Sequence, residues 1–179
     1  MSLFFDEKLR RLPAFDDETK RTEGFAERRA RLVSQRLPAF VIDASIIVSW
    51  YSPDEQNDYA KDILFCLKKE RAITACLCCL EVNNAFRVLE KKGKVPSLSV
   101  DKILISIDKL PIIRDSTSIG FVMPLITRLS REHGLTIYDA CYLELAVRLN
   151  LPVASLDDDL NKAAKAVNVA LKTIEKDDI

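Results

Sequence analysis

Two acidic residues stand directly after short apolar runs that are typical of buried strands. Asp43 closes the run FVI at 40–42, and Asp157 follows the run VASL at 153–156. Parallel α/β sheets keep their binding residues at the carboxyl ends of the strands. The spacing therefore predicts that Asp43 and Asp157 lie at a functional edge of a sheet.

A third acid, Glu81, lies on the wrong side of a predicted helix. With about 100° of rotation per residue, the pattern of residues 77–92 separates a polar side from an apolar line. The polar side contains Asn83, Arg87 and Glu90, and the apolar line contains Leu77, Ala85 and Val88. Glu81 falls in the apolar line, where a carboxylate needs a partner or a ligand.

Asp139 repeats this anomaly in the predicted helix at 137–149. It aligns with Leu143 and Ala146, whereas Glu144 and Arg148 are expected on the solvent side of the same helix. Two helices are thus predicted to direct one carboxylate each toward the interior.

Four inward carboxylates would repel one another, and burying one unpaired carboxylate lowers the stability of the fold by roughly several kcal/mol. Mg²⁺ and Mn²⁺ remove this penalty, because they prefer oxygen ligands and bind substrate phosphates together with one or two carboxylates. Such ions also activate water as a nucleophile. The pattern favours metal-assisted phosphodiester chemistry.

Single acids have simpler explanations. Thr136 with Asp139 and Ser155 with Asp158 match capping boxes, and Asp43 has a type and position that suit a helix cap. Glu81 alone would be explained by pairing with a lysine or arginine. Helix caps explain the joint occurrence of the four acids much less well.

Short strands alternate with helix-length segments along the chain, which favours crossover connections and a mainly parallel sheet. We predict a three-layer α/β/α fold with a central parallel sheet of four or five strands. The predicted strands are 40–42, 72–75, 111–114, 152–155 and, as a possible fifth, 169–171; the predicted helices are 57–69, 77–92, 98–110, 119–132, 137–149 and 157–167.

Composition restricts the class of protein further. The 179 residues carry 27 basic and 27 acidic side chains, so any nucleic-acid site is expected to be local. No segment approaches the roughly 20 apolar residues of a membrane span, and the charged N-terminus does not suit a secretory signal. We expect a cytoplasmic protein. Its five cysteines and single histidine predict buried thiols and no zinc cluster.

Four motifs of this chain resemble those of the PIN-domain ribonucleases, and among them the VapC-type toxins of toxin–antitoxin pairs. The motifs are VIDASIIVSW at 41–50, LEVNNAF at 80–86, GLTIYDACYLELA at 134–146 and LPVASLDDDL at 151–160. The resemblance implies a PIN fold with an acidic pocket for Mg²⁺ or Mn²⁺, in which a metal-activated water attacks the RNA phosphate without a covalent enzyme intermediate.

Each implied site residue follows from the position it matches. The resemblance assigns the metal-binding and catalytic acids to Asp43, Glu81, Asp139 and Asp157, and a weaker metal ligand to Asp159. It assigns supporting roles to Ser45, Asn84 and Ser155, although threonine is common at the last position. The implied partners are an RNA substrate, a cognate antitoxin protein and a second copy of the chain in a homodimer.

The charge-rich residues 1–38 precede the predicted PIN domain at 39–179 and form a predicted helical extension. Three origins stay open for it: a dimer arm, a mis-assigned start codon, or an arginine-rich segment that approaches the acidic pocket. The alternative function is a non-catalytic PIN module that binds RNA or protein. An aspartyl-phosphate phosphatase is disfavoured, because Ser45 stands where that chemistry needs a second aspartate.

Overall fold

The computed structural model describes residues 38–52 and 57–174. Within these residues it contains four strands and seven helices. In chain order they are β1 (Phe40–Ile42), α1 (Ala44–Tyr51), α2 (Asp58–Cys66), β2 (Ala72–Thr74), α3 (Cys78–Lys91), α4 (Ser97–Asp108), β3 (Ile112–Arg114), α5 (Ile119–His133), α6 (Ile137–Leu149), β4 (Val153–Ala154) and α7 (Asp158–Ala166).

The strands form one parallel sheet in the order β3-β2-β1-β4. Phe40 pairs with Ala72 and Val41 pairs with Val153, so β1 lies between β2 and β4. The predicted fifth run at 169–171 meets the sheet through a single parallel bridge between Leu171 and Val153. The predicted α/β fold with a parallel sheet is confirmed, and the end of β1 lies in its interior.

Each of the four strands was predicted within one residue at either end, because each is a short apolar run, and Pro111 and Pro152 mark the starts of the last two. Helix α1 was not among the predicted helices, although Asp43 was considered as a possible helix cap, and Asp43 is its N-cap. Its sequence ASIIVSWY is almost uniformly apolar and rich in β-branched residues, so it has no polar stripe of helical period. It is helical because six of its eight residues are buried within the fold.

The core-facing stripe of α3 differs slightly from the predicted one. Its buried residues are Cys78, Val82 and Phe86, whereas Val88 is exposed. Glu81 lies beside this stripe and is half-buried. The expectation that Glu81 faces inward is therefore met at the edge of the core rather than at its centre.

The prediction that Glu144 lies on the solvent side of α6 is wrong. This side chain is only 2% exposed, because α6 packs along α5 and every residue from 140 to 146 is buried. Arg148 offsets the buried charge: its Nε donates to Glu144 Oε1 at 2.8 Å, and its Nη2 donates to Asp115 Oδ2 at 2.6 Å. The sequence pattern of α6 identified Glu144 and Arg148 as its polar side, but it could not show that neighbouring parts of the chain cover this side.

No helix within residues 38–52 and 57–174 combines the length and the apolar character that crossing a membrane requires. The predicted N-terminal extension, apart from Pro38, lies outside the described residues, and so does its predicted helix.

Candidate active site

The site begins where β1 and its neighbour β4 end. Asp43 directly follows β1, and Ser155 directly follows the neighbouring β4. The backbone N–H of Asp43 donates to the carbonyl of Ala154 at 3.0 Å, which extends the pairing of the two strands by one bond. The side chains that follow β1 and β4 are thereby brought to the same edge of the sheet, as parallel sheets require.

Two serine hydroxyls hold the carboxylate of Asp43. Ser45 Oγ donates to Asp43 Oδ2 at 2.5 Å, and Ser155 Oγ donates to the same oxygen at 2.7 Å. Each serine in turn accepts a backbone N–H from the segment after β4: Ser45 from Leu156 at 3.0 Å and Ser155 from Asp157 at 2.9 Å. The donor and acceptor roles of both hydroxyls are therefore assigned, and Asp43 has a fixed orientation.

Burial makes the charge of Asp43 costly. The residue is only 5% exposed, and this burial raises the pKa of its carboxyl above the usual value. The hydrogen bonds from Ser45 and Ser155 act in the opposite direction, because they favour the charged form, but they do not outweigh burial. The carboxylate is thus well oriented and poorly neutralised.

Glu81 lies in the first turn of α3 and faces the same acids. Its Oε2 accepts a hydrogen bond of 2.5 Å from the hydroxyl of Tyr142 on α6. Burial is the largest cause that raises the pKa of Glu81; the Tyr142 bond opposes it, and the charges of Asp43 and Asp139 raise it further. Asp43 and Asp139 therefore each lie within electrostatic range of Glu81.

Asp139 lies in the first turn of α6, where Thr136 is the N-cap. Gly134 ends α5 in the left-handed conformation, with φ of 68°, and so turns the chain toward this cap. The Thr136 hydroxyl accepts from the Asp139 N–H at 3.1 Å and donates to Asp139 Oδ2 at 2.6 Å. The predicted capping box is therefore formed in part: Thr136 caps the helix through the Asp139 N–H, and its hydroxyl orients the Asp139 carboxylate.

Asp157 is the N-cap of α7 and accepts the Leu160 N–H at 2.7 Å. The capping box predicted between Ser155 and Asp158 is not formed, because Asp157 itself takes the cap position and Asp158 is exposed. Asp157 is joined to the site through its N–H bond to Ser155. Its carboxylate is half-buried.

The two remaining predicted residues lie outward. Asp159 is exposed and forms an ion pair with Lys162 at 2.9 Å, so a basic side chain already neutralises it. Asn84 is exposed on α3, three residues after Glu81. Neither residue has a contact that joins it to the acids, and their assigned roles stay predictions.

The orienting groups share one property. Asp43, Glu81 and Asp139 are each held through one oxygen by a neutral hydroxyl, and none of the ion pairs within the described ranges involves them. Hydroxyl donors fix the direction of a carboxylate and leave its negative charge uncompensated. The cluster therefore suits a cation.

The arrangement suits a hard, well-hydrated cation better than one enclosed by protein ligands. Among residues 38–52 and 57–174, no three Asp, Glu, His or Cys side chains converge closely enough to hold one ion. Mg²⁺ and Mn²⁺ usually keep several waters and use one or two carboxylates, so this donor set fits them. Asp43 and Glu81 would hold such an ion, with Asp139 beside them.

Cysteine chemistry does not explain the site. Cys78 lies close enough to Asp43 and Glu81 for their charges to affect it, but burial raises the pKa of its thiol to about 11. A thiol with this pKa stays protonated near neutral pH and is a poor nucleophile.

Tyr142 was not among the residues predicted for the site. It follows Asp139 by three residues and therefore shares its side of α6. A tyrosine hydroxyl on a buried helix face needs a hydrogen-bond partner, and this requirement was the signal available in the sequence.

Comparison with known proteins identifies the family. The family model that describes the PIN domain matches residues 40–166 of this chain. The chain therefore belongs to the PIN-domain family, whose members are generally nucleases.

Two solved structures share the fold of this chain. The crystal structure of PAE2754 from Pyrobaculum aerophilum has 21% sequence identity and a TM-score of 0.54, and the match covers 70% of this chain and 79% of that chain. The crystal structure of FitAcB from Neisseria gonorrhoeae has 14% identity and a TM-score of 0.53, and the match covers 75% and 96%. At these identities the likeness shows a shared fold. No curated protein sequence matches this chain.

Proposed function

We propose that this protein is a metal-dependent endoribonuclease that hydrolyses RNA phosphodiester bonds with Mg²⁺ or Mn²⁺, which Asp43, Glu81, Asp139 and Asp157 bind directly or through the waters that the ion keeps. One observation carries the proposal: Asp43 is buried, oriented by two hydroxyls and grouped with two further acids, yet no basic side chain of the described residues pairs with it. A cation explains why this arrangement is stable in the folded protein.

The side chains prepare the site in distinct ways. Ser45 and Ser155 both occupy Oδ2 of Asp43 and so leave Oδ1 as the oxygen for a ligand. Glu81 adds a second carboxylate from α3. A bound divalent ion supplies an activated water and neutralises charge that develops on the phosphate.

Covalent catalysis through Asp43 is disfavoured by its neighbour. An aspartyl-phosphate mechanism needs a second acid two residues after the nucleophile, and this position is Ser45. The Ser45 hydroxyl donates a hydrogen bond to Asp43 itself. It therefore orients the carboxylate and does not act as an acid for a leaving group. Direct attack by water fits these residues better.

The biological role we propose is that of a VapC-type toxin, controlled by a cognate antitoxin protein and assembled as a homodimer. The support is the four motifs that resemble this group of PIN-domain proteins, together with the family membership of residues 40–166. RNA is the proposed substrate on the same basis.

The decisive experiment is cleavage of total cellular RNA by the purified protein in Mg²⁺, in Mn²⁺ and in EDTA. Asp139→Asn serves as the inactive variant, because it keeps the shape of the side chain and the backbone N–H bond to the N-cap Thr136 while it removes a ligand charge. Asp101→Asn, at an exposed position on α4, serves as the matched control. Discrete products that require metal, persist with Asp101→Asn and fall about 100-fold with Asp139→Asn would support the proposal. Equal cleavage by both variants would contradict it.

A second candidate is a PIN module that binds RNA or protein without cutting it. Helix capping favours this candidate: Asp43 and Asp157 are the N-caps of α1 and α7, and Asp139 bonds to Thr136, the N-cap of α6, so these positions have structural roles that need no metal. Retention of RNA binding with no cleavage under any metal condition would support this candidate.

A further inference from the structure

Tyr142 is the buried side chain in closest chemical contact with the acidic cluster. It lies on α6 with no exposed surface, and its hydroxyl reaches across to α3, where it donates to Glu81 Oε2 at 2.5 Å. The bond joins residues 61 positions apart in the chain. It links the two helices that carry Glu81 and Asp139.

We propose that Tyr142 is a positioning residue for metal binding: its hydroxyl holds Oε2 of Glu81 and directs Oε1 toward the cation. This inference rests on the proposed function, since it concerns the same ion. It assigns to Tyr142 the part that Ser45 and Ser155 have for Asp43. It also sets the separation between Glu81 and Asp139, because Tyr142 and Asp139 are on one rigid helix.

A catalytic role for Tyr142 is inconsistent with its burial. With none of its surface exposed, the side chain cannot touch RNA or a reacting water. Its effect must pass through Glu81, which is half-buried and therefore reachable.

A purely structural role is inconsistent with the choice of acceptor. Three other inward side-chain donors bond to backbone carbonyls: Trp50 to Ala60 at 2.6 Å, Tyr59 to Lys172 at 2.8 Å, and Thr74 to Ile42 at 2.8 Å. These bonds satisfy the donor without involving a charge. Tyr142 instead donates to Glu81, a carboxylate that the charges of Asp43 and Asp139 both affect, and such a bond orients a potential ligand.

The test measures Mn²⁺ binding to the full chain without RNA, from the loss of the paramagnetic resonance signal of free hydrated Mn²⁺. The variant Tyr142→Phe removes only the hydroxyl. The matched control Tyr59→Phe removes a tyrosine hydroxyl bond of similar length that goes to a backbone carbonyl. We expect the Kd for Mn²⁺ to rise about 10- to 100-fold in Tyr142→Phe and to stay unchanged in Tyr59→Phe.

A double-mutant cycle tests whether Tyr142 acts through Glu81. In Glu81→Gln the ligand charge is removed, so adding Tyr142→Phe should raise the Kd by less than twofold further. This comparison also applies if Tyr142→Phe alone folds poorly, because both members of the pair then carry the Glu81→Gln background.

Three outcomes would overturn the proposal. A wild-type Kd in Tyr142→Phe, with or without a lower Tm, would assign the hydroxyl to structure alone and leave the proposed function intact. Equal effects of Tyr142→Phe in the wild-type and Glu81→Gln backgrounds would show that it acts by another route. Failure of the wild-type chain to bind Mn²⁺ would overturn both this inference and the metal-dependent function.

Discussion

The hydroxyl of Ser155 donates to Asp43 Oδ2 at 2.7 Å, although the two residues are 112 positions apart in the chain. This bond joins the ends of β1 and β4 at the point where the acidic cluster begins. It supports the same carboxylate oxygen that Ser45 holds, and the Ser155 hydroxyl in turn accepts the Asp157 N–H, so one hydroxyl links Asp157 to Asp43.

Removing this hydroxyl should weaken both the fold and the site. For Ser155→Ala we expect a loss of about 1–3 kcal/mol in the free energy of unfolding, because a buried carboxylate loses a donor and the Asp157 N–H loses its acceptor. Urea unfolding measures the change. Ser106→Ala, which removes an exposed hydroxyl bond to the Lys102 carbonyl, should change the stability by less than about 0.5 kcal/mol. Equal losses in the two variants would contradict the assigned role.

The raised pKa of Asp43 predicts a pH-dependent effect of Asp43→Asn. The pKa of Asp43 is higher in the folded chain than its usual value of 3.8. Between these two pKa values the folded state binds a proton that the unfolded state has released. The free energy of unfolding therefore falls as the pH rises from 3.8 toward the pKa of the folded chain. Asparagine carries no charge and can still accept from both serines. In EDTA, Asp43→Asn should therefore gain stability over wild type, by about 1 kcal/mol or more at pH 7 and by little at pH 4.

Urea unfolding at several pH values measures the difference in the free energy of unfolding between Asp43→Asn and wild type. Asp101→Asn is the control, because its difference from wild type should not depend on pH. Adding Mn²⁺ at pH 7 should stabilise the wild type and leave Asp43→Asn unchanged. A pH-independent advantage of Asp43→Asn would refute the link between its burial and its ionisation.

Asp157 has a capping role and a proposed ligand role that substitution can separate. Asparagine caps helices as well as aspartate does, so Asp157→Asn should keep the stability of the fold while lowering RNA cleavage at least 10-fold. Asp157→Ala should lose both the activity and about 1 kcal/mol of stability, because the Leu160 N–H loses its acceptor. Full activity of Asp157→Asn in a cleavage assay would restrict this residue to its cap.

The buried ion pair of α6 predicts a large effect on stability away from the site. Arg148→Met removes the partner of Glu144, which is 2% exposed, and should lower the free energy of unfolding by about 3 kcal/mol or more. The double variant Glu144→Leu/Arg148→Met should recover most of this loss, since it removes the uncompensated charge. Chemical unfolding of the single and double variants provides the measurement; a double variant as unstable as Arg148→Met would count against the pairing.

Much of the fold follows from local patterns in the sequence. The apolar runs at β1, β2, β3 and β4 are short and bounded, and the helices between them have clear polar stripes, so the alternation leads directly to a parallel sheet. Helix α1 was not among the predicted helices, because most of its residues are buried and its sequence therefore has no polar stripe of helical period. The burial of Glu144 escaped it too, since periodicity describes one helix and not the neighbour that packs on it.

The acids of the candidate site were predictable, whereas their partners were not. Asp43 and Asp157 stand at strand ends, and Glu81 and Asp139 interrupt apolar patterns, so each is visible within a few residues of sequence. The Tyr142 bond to Glu81 and the Ser155 bond to Asp43 span 61 and 112 positions. Only the packing of strands and helices brings these pairs together.

The pairing of β4 with β1 has a consequence for synthesis on the ribosome. The chain emerges with its N-terminal part first, so Asp43 is exposed long before Ser155, Leu156 and Asp157 have been made. Until then its carboxylate lacks the Ser155 hydroxyl, and Ser45 lacks the Leu156 N–H that fixes its own direction. A nascent or truncated chain that ends before β4 therefore cannot form the oriented acidic cluster, and any activity of this cluster is delayed until β4 and the segment after it have been made.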